Sequence, residues 1–354
     1  MSIGMNTDIG TDISIKNTDF HSRHFDSIQA LRGITALFIV LEHIRFLNCG
    51  AFGVDIFFCI SGFMIMYSTH SHTRYFLRKR LIRILPLYYF MTLGTFFLLV
   101  LFPGMFEQSK ADPVFLLKSL LFLPFDIGGG VLQPLMRVGW TINCEVFFYI
   151  LFLIALKINH KYRGFFCSIL LSGTVAAASL LPSPPAFLAF YGSPVMLEFI
   201  LGILGYYAAW GLYRLQQTSR LPGISLPLSI SGLVGGFAGL LITKPGINIL
   251  GFRRPLLWGL PALLIVLCAF TAGLYLRRIP AALVRLGDIS FSLYLVHYYP
   301  VILLDRAVFD FSVCTLRTLL GAAAALAVST FLALMGWFLF EKKLSAWLRR
   351  KLIP

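Results

Sequence analysis

Residues 84–102 read ILPLYYFMTLGTFFLLVLF, nineteen consecutive positions without a charged side chain. At 1.5 Å per residue a helix of that length measures about 28 Å, close to the hydrocarbon thickness of a bilayer. Runs of similar character recur on both sides of it. They predict ten membrane-spanning helices over 28–47, 51–69, 81–102, 138–157, 163–181, 194–213, 224–243, 255–276, 287–304 and 315–340. The composition agrees: of 354 residues 58% are hydrophobic and only 13% charged, about half the charge of an ordinary globular surface. Mean hydropathy is +0.82, and the 34 phenylalanines suit lipid-facing bulk. A soluble enzyme, a disordered chain and a disulfide-rich secreted scaffold are excluded. The expected fold is an all-α, polytopic membrane bundle.

Around that core, residues 1–26 form a polar tail lacking the basic start and small-residue cleavage site of a signal peptide. Residues 27–341 form the transmembrane domain and 342–354 a basic tail. The stretch 113–124 is apolar but short, and is expected to be interfacial or re-entrant. The net charge of +15 follows from basic residues gathered in loops on one side, which points away from nucleic acid as a partner. Lys and Arg in the tails and the even-numbered connections outnumber those opposite by about two to one, which sets both termini in the cytoplasm. The six cysteines form no CxxC pair and read as small buried hydrophobes, and no metal-ligand cluster is evident.

Ionisable groups inside spans cost about 2.5–3.5 kcal/mol each at the bilayer centre on insertion scales, so each invites a reason. On the first predicted span Arg32 and His43 are eleven residues apart, close to three full turns. They face the same way, about 16 Å apart along the axis. A snorkelling arginine and a packing histidine would be the bland account. The segment 76–88, FLRKRLIRILPLY, is either a positive-inside anchor or, through Arg80 and Arg83, a phosphate cradle. On the fourth span Trp140 precedes a Thr141–Glu145–Tyr149 stripe at i, i+4 and i+8. On the ninth, Ser290, Tyr294 and His297 share a face. Interhelical hydrogen bonding would explain both sets, and Glu198 too. The predicted topology nevertheless sorts them by depth. Glu42, His43, Asp55, Glu145, Glu198 and His297 fall in outer halves of spans, and Arg32 with the 78–83 cluster falls at the inner side.

These residues carry a resemblance. The chain from about residue 25 to 341 resembles the integral-membrane acyltransferase-3 family, whose members O-acylate extracytoplasmic glycans and other hydroxyl-bearing molecules. The likeness lies in Arg32…His43, in Gly53-Val54-Asp55 running to Gly62-Phe63, and in Arg80-x-x-Arg83 followed by Pro86. Trp140-Thr141…Glu145, Glu198-Phe199-x-x-Gly202 and Ser290…Tyr294-Leu295-x-His297 follow in the family's order. Lys342-Lys343 after Glu341 departs from it, where a proline is expected nearby. The resemblance implies a multi-pass acyltransferase of the cytoplasmic (inner) membrane. It would hold no permanent cofactor, with acyl-CoA (acetyl-CoA foremost) as co-substrate and a glycan or lipid-linked glycan as acceptor. Glycan-assembly proteins would be partners, and acceptor presentation would come from the spans or from such a partner.

Acyl transfer to a hydroxyl needs a base, and an imidazole titrating near pH 6.5 suits the task. His43 would be that base or would form an acyl-imidazole. Glu42 adjoins it but points about 100° away, so Glu145 and Asp55 are the candidates to orient the ring. Arg32, Arg80 and Arg83 would hold the phosphates of CoA. Tyr294 or a backbone N–H would stabilise the oxyanion, with Ser290, His297, Trp140 and Glu198 as further acceptor-side or oxyanion candidates. A transporter using the same charges as a substrate or proton path is the rival from another class. A non-catalytic scaffold binding acyl-CoA or a glycan lipid is a second.

Overall fold

The structure, a computed structural model, describes residues 20, 25–71, 73–103, 111–128, 130–217, 225–243, 251–276 and 278–353. The predicted polar tail lies largely outside the described residues. Apart from a two-residue antiparallel pair, β1 (Phe125–Asp126) with β2 (Leu132–Gln133), all regular structure among the described residues is helical. Among the described residues seven helical stretches are long and apolar enough to cross a membrane: Phe76–Leu101, Arg137–Ile158, Arg163–Leu180, Pro194–Leu215, Leu226–Thr243, Pro255–Tyr275 and Leu316–Leu352. Each coincides with a predicted span. Many large apolar side chains stay exposed on them, Phe97 and Phe331 at 61% and Val234 at 65%, as expected where the solvent is lipid. The protein is an integral membrane protein.

The other three predicted spans are helical but shorter or broken. α1 (Asp26–Glu42) and α2 (Gly53–Ser68) have 17 and 16 residues. The Glu42 carboxylate ends the first by turning toward the next connection, where it accepts the backbone N–H groups of Gly50 and Ala51 at 2.6 and 3.0 Å. The predicted ninth span is a chain of short helices, α11 (Ala281–Asp288), α12 (Ser290–Val296) and α13 (Tyr298–Leu304), followed by a π-helical turn at Asp305–Phe309. The stretch 113–124 begins as α4 (Pro113–Leu120), capped by Asp112, whose carboxylate accepts the Val114 N–H at 2.7 Å.

Close backbone approach sets the centre of the bundle. α2 crosses α8 (Leu197–Gln217) at Gly62 and Gly202, where an added Cβ would lie 2.2 Å from the carbonyl oxygen of Phe199 or of Cys59 respectively. α1 meets α11 in the same way at Gly33 and Gly287. Small residues at such crossings let helices pack where lipid offers no hydrophobic drive.

α3 (Phe76–Leu101) continues through Pro86. Proline has no N–H, so the Ile82 carbonyl one turn earlier loses its helical partner. The Ser345 hydroxyl donates to that oxygen at 2.9 Å. Ser345 opens α15 (Ser345–Leu352), which extends α14 (Leu316–Gly336) beyond a π-helical stretch at Trp337–Leu344. This hydrogen bond closes the kink and docks the basic C-terminal helix on the basic start of α3.

Candidate active site

Five helices enclose a cavity of about 130 Å³, lined among others by Arg32, Arg80, Arg83, Glu145, Ser290 and Tyr294. Arg32 comes from α1. Its guanidinium donates to the Gln29 amide oxygen at 3.4 Å, while Gln29 Nε2 donates to Asp288 at 2.7 Å. The glycine contact between α1 and α11 permits this link, which fixes the turn bearing Arg32. Arg80 and Arg83, three residues apart, occupy one face of α3. Arg80 donates to Ser68 Oγ at 2.6 Å, and its guanidinium stands 5.7 Å from the Tyr149 ring centroid.

α5 (Trp140–Ile158) supplies the predicted stripe, and Thr141, Glu145 and Tyr149 all line the cavity. The Glu145 carboxylate accepts from Ser61 Oγ at 3.1 Å and from the Tyr149 hydroxyl. The expected separation by depth therefore fails for Glu145, which belongs with the arginines. A second carboxylate joins it: Glu341 accepts from Ser292 Oγ at 2.6 Å and lies within electrostatic reach of Arg32 and Arg83. The sequence does not single out Glu341, which closes the predicted transmembrane domain just before the basic Lys342-Lys343. A lone acid ending an apolar run was the available signal.

On α12 the Tyr294 hydroxyl accepts from Thr141 at 2.6 Å and donates to the Val138 carbonyl at 2.8 Å. Its one proton is thus engaged, so Tyr294 serves an oxyanion only by leaving that bond. Ser290 Oγ is buried, lines the cavity and has no hydrogen-bond partner among the described residues. Trp140 packs edge-on against Phe58 at 6.2 Å, beside the cavity rather than in its lining.

The imidazoles form a second group. His43, the C-cap of α1, places Nδ1 2.9 Å from the Ile39 carbonyl oxygen and 3.2 Å from Nε2 of His297. The rings meet edge to face, with centroids 4.8 Å apart, and Tyr298 approaches His43 at 5.5 Å. His297 is fully buried, and the Tyr294 ring packs 6.0 Å from it. Tyr294 therefore stands between the arginine cavity and the histidine pair.

Asp55 is not with them. Both its oxygens are taken by Arg254, at 2.9 Å from Nε and 2.8 Å from Nη2. Glu198 completes a buried cluster, 3.8 Å from Arg254 Nε. All three side chains are almost wholly inaccessible. The expectation that Asp55 or Glu145 orients the His43 ring is corrected by these contacts: each carboxylate is committed elsewhere, and Ile39 and His297 hold the ring. Glu198 is likewise drawn away from the acceptor side by Arg254, which the sequence suggests only as a loop residue.

The chain is similar to several known proteins. The family model described as an acyltransferase domain matches residues 25–352. The exopolysaccharide production protein ExoZ of Rhizobium meliloti is 28% identical over 306 residues, covering 83% of this chain and 89% of its own. The acyltransferase MdmB of Streptomyces mycarofaciens is 26% identical over 278 residues, 70% of this chain and 67% of its own. The O-acetyltransferase OatA of Staphylococcus aureus is 24% identical over 323 residues, 80% of this chain and 51% of its own. No solved structure matches the chain. A family match over nearly the whole length, on a helical membrane bundle with the motif residues gathered at its centre, makes this protein a member of the acyltransferase-3 family and an acyltransferase.

Proposed function

We propose that the protein is a ten-pass O-acetyltransferase of the cytoplasmic membrane with both termini in the cytoplasm. It would take acetyl from acetyl-CoA on that side and deliver it to a hydroxyl of a glycan or lipid-linked glycan on the other. The observation that carries this reading is the adjacency of a three-arginine cavity and an imidazole pair across a single side chain, Tyr294. Guanidinium groups match phosphate geometry. A cavity of about 130 Å³ has room for a phosphate or part of a thin chain, so the nucleotide would rest outside it, on the basic surface of α3 and α15. The pantetheine arm would pass Ser290 and Tyr294 toward His43. The acceptor oxygen attacks the thioester carbonyl, His43 takes its proton, and the thiolate leaves and is reprotonated. The names of ExoZ and OatA support a polysaccharide-type acceptor and an acetyl donor, and glycan-assembly proteins would be the partners.

The test is turnover of acetyl-CoA by purified protein in nanodiscs with a glycan acceptor. His43→Ala should lower kcat by about 10²-fold or more while inserting and melting as wild type does. Normal turnover by that variant would remove the imidazole from the chemistry. Acceptor flux without acetylation would favour a transporter.

A further inference from the structure

The imidazole pair admits one arrangement of hydrogens among its neutral forms. A backbone carbonyl only accepts, so His43 Nδ1, 2.9 Å from the Ile39 oxygen, carries a hydrogen and donates it there. His297 Nδ1 lies 3.1 Å from the Leu293 oxygen and carries one for the same reason. Neutral His297 then has a bare Nε2, and that lone pair lies 3.2 Å from His43 Nδ1. The Nδ1–H of His43 is shared between two acceptors, and its Nε2 is left unprotonated. In the opposite tautomer of His43, three lone pairs would converge on one point.

We infer that His297 is the positioning residue of the catalytic imidazole, in the place a carboxylate occupies in a serine-protease triad. This rests on the reading of His43 as the base. Holding the hydrogen on Nδ1 directs a lone pair on Nε2 toward the acceptor hydroxyl. When Nε2 takes the hydroxyl proton, the imidazolium forms with Nδ1–H already bonded to a second imidazole. Nε2 then gives that proton to the departing CoA sulfur, and both rings return to their starting state. The charged groups that act on His43 are Glu42, its neighbour on α1, and Arg137, ahead of α5. Neither accepts the Nδ1 hydrogen, and Asp55 and Glu145 are engaged with other partners. A neutral partner suits the site. A second imidazole adds an acceptor for Nδ1–H beside the Ile39 carbonyl without adding a negative charge, which would repel an anionic donor.

The experiment uses the full-length protein in detergent and reads two quantities. The first is the rate at which diethyl pyrocarbonate modifies His43 at pH 7 without substrates, followed by peptide mass spectrometry. The second is steady-state kinetics with acetyl-CoA. His297→Phe, which fills the space but removes the acceptor, should slow His43 modification several-fold. It should also lower kcat by about tenfold or more, with little change in KM for acetyl-CoA. His297→Gln, which restores an acceptor oxygen, should recover most of both losses. If the phenylalanine variant does not insert, His297→Met serves the same purpose. Unchanged His43 modification in a folded His297→Phe or His297→Met protein overturns the inference, as does a glutamine variant no better than phenylalanine. The modification rates require no turnover. If they follow the expected pattern while His43→Ala remains fully active, the pairing stands and the catalytic reading fails.

Discussion

Glu145 lines the cavity with Arg32, Arg80 and Arg83, and Glu341 lies within electrostatic reach of Arg32 and Arg83. Such counter-charges keep three guanidinium groups tolerable near one another, at the expense of attraction for an anion. Glu145→Gln keeps a side chain that accepts from Ser61 and Tyr149 but removes the charge. It should therefore tighten CoA binding by a few-fold in calorimetry at low salt, and the gain should shrink as salt rises. Unchanged binding with a hundredfold fall in kcat would return Glu145 to the chemistry. Arg83→Lys keeps charge but loses the planar fork, so KM for acetyl-CoA should rise more than kcat falls. The Asp55–Arg254–Glu198 cluster has a different role. Breaking a buried pair by removing one partner costs about 3–5 kcal/mol, because the remaining charge is stranded. Arg254→Met should lower the thermal midpoint sharply, and adding Asp55→Leu and Glu198→Leu should restore much of it. A lone Arg254→Met that melts like wild type would show that the cluster is not holding α2, α8 and the π-helical turn (Pro255–Gly259) that leads into α10 (Leu260–Tyr275) together. Spacing and resemblance single out Arg32, Arg80, Arg83, Glu145, Ser290 and Tyr294, which line one cavity. They do not identify partners, because which carboxylate meets which cation depends on helix rotation and crossing angle, and these are set by contacts such as Gly62 on Gly202.

At the scale of elements, apolar length locates the seven helices among the described residues that are long enough to cross a membrane, because the bilayer imposes its thickness on sequence directly. What it left unseen are the irregularities. α1 and α2, at about 25 Å each, form a hairpin slightly shorter than the membrane core, and its connection is held by Glu42 rather than exposed as a polar loop. A short hairpin lets His43 sit at a helix end while remaining enclosed by α12 and α13. The breaks at Ile289 and His297 carry no proline or glycine at the break itself, so no local signal announces them. Pro86 does announce a kink, but not its remedy. The Ile82 carbonyl is satisfied by a residue 263 positions away. Ser345→Ala strands that buried oxygen and should cost about 1–3 kcal/mol, read as a lower midpoint and as faster proteolysis of the C-terminal helix. Ser345→Thr retains the hydroxyl and should behave as wild type. If the alanine variant is as stable and as resistant, water or neighbouring backbone satisfies the kink and α15 is docked by its apolar contacts alone.

For the whole molecule the decisive quantity is the number of crossings, since it fixes which face the proposed donor, acetyl-CoA, would meet. Among the described residues seven helices are long and apolar enough to cross; in the proposed topology the remaining parity rests on the α1–α2 hairpin, which would return the chain to its own side, and on the broken segment 281–309. Taken as continuous helix, that segment rises about 40 Å, long enough to cross a bilayer unless it folds back at His297. In the proposed orientation it enters from the cytoplasm near Arg278 and leaves at the loop containing Cys314. Cys314 is exposed and native, which makes it a reporter without engineering. A membrane-impermeant maleimide applied to intact cells should label Cys314, and should label Ser183→Cys in a Cys314→Ser background. Arg278→Cys, Ser71→Cys and Lys351→Cys, in that same background, should react only after the membrane is opened. Labelling of Arg278→Cys from outside together with Cys314 would make 281–309 re-entrant and leave nine crossings. The basic starts of α3 and the C-terminal helix would then lie on opposite faces, although the Ser345–Ile82 bond joins them. That contact ties the two basic segments to one side, so parity and packing require the same answer, and the labelling pattern tests both at once.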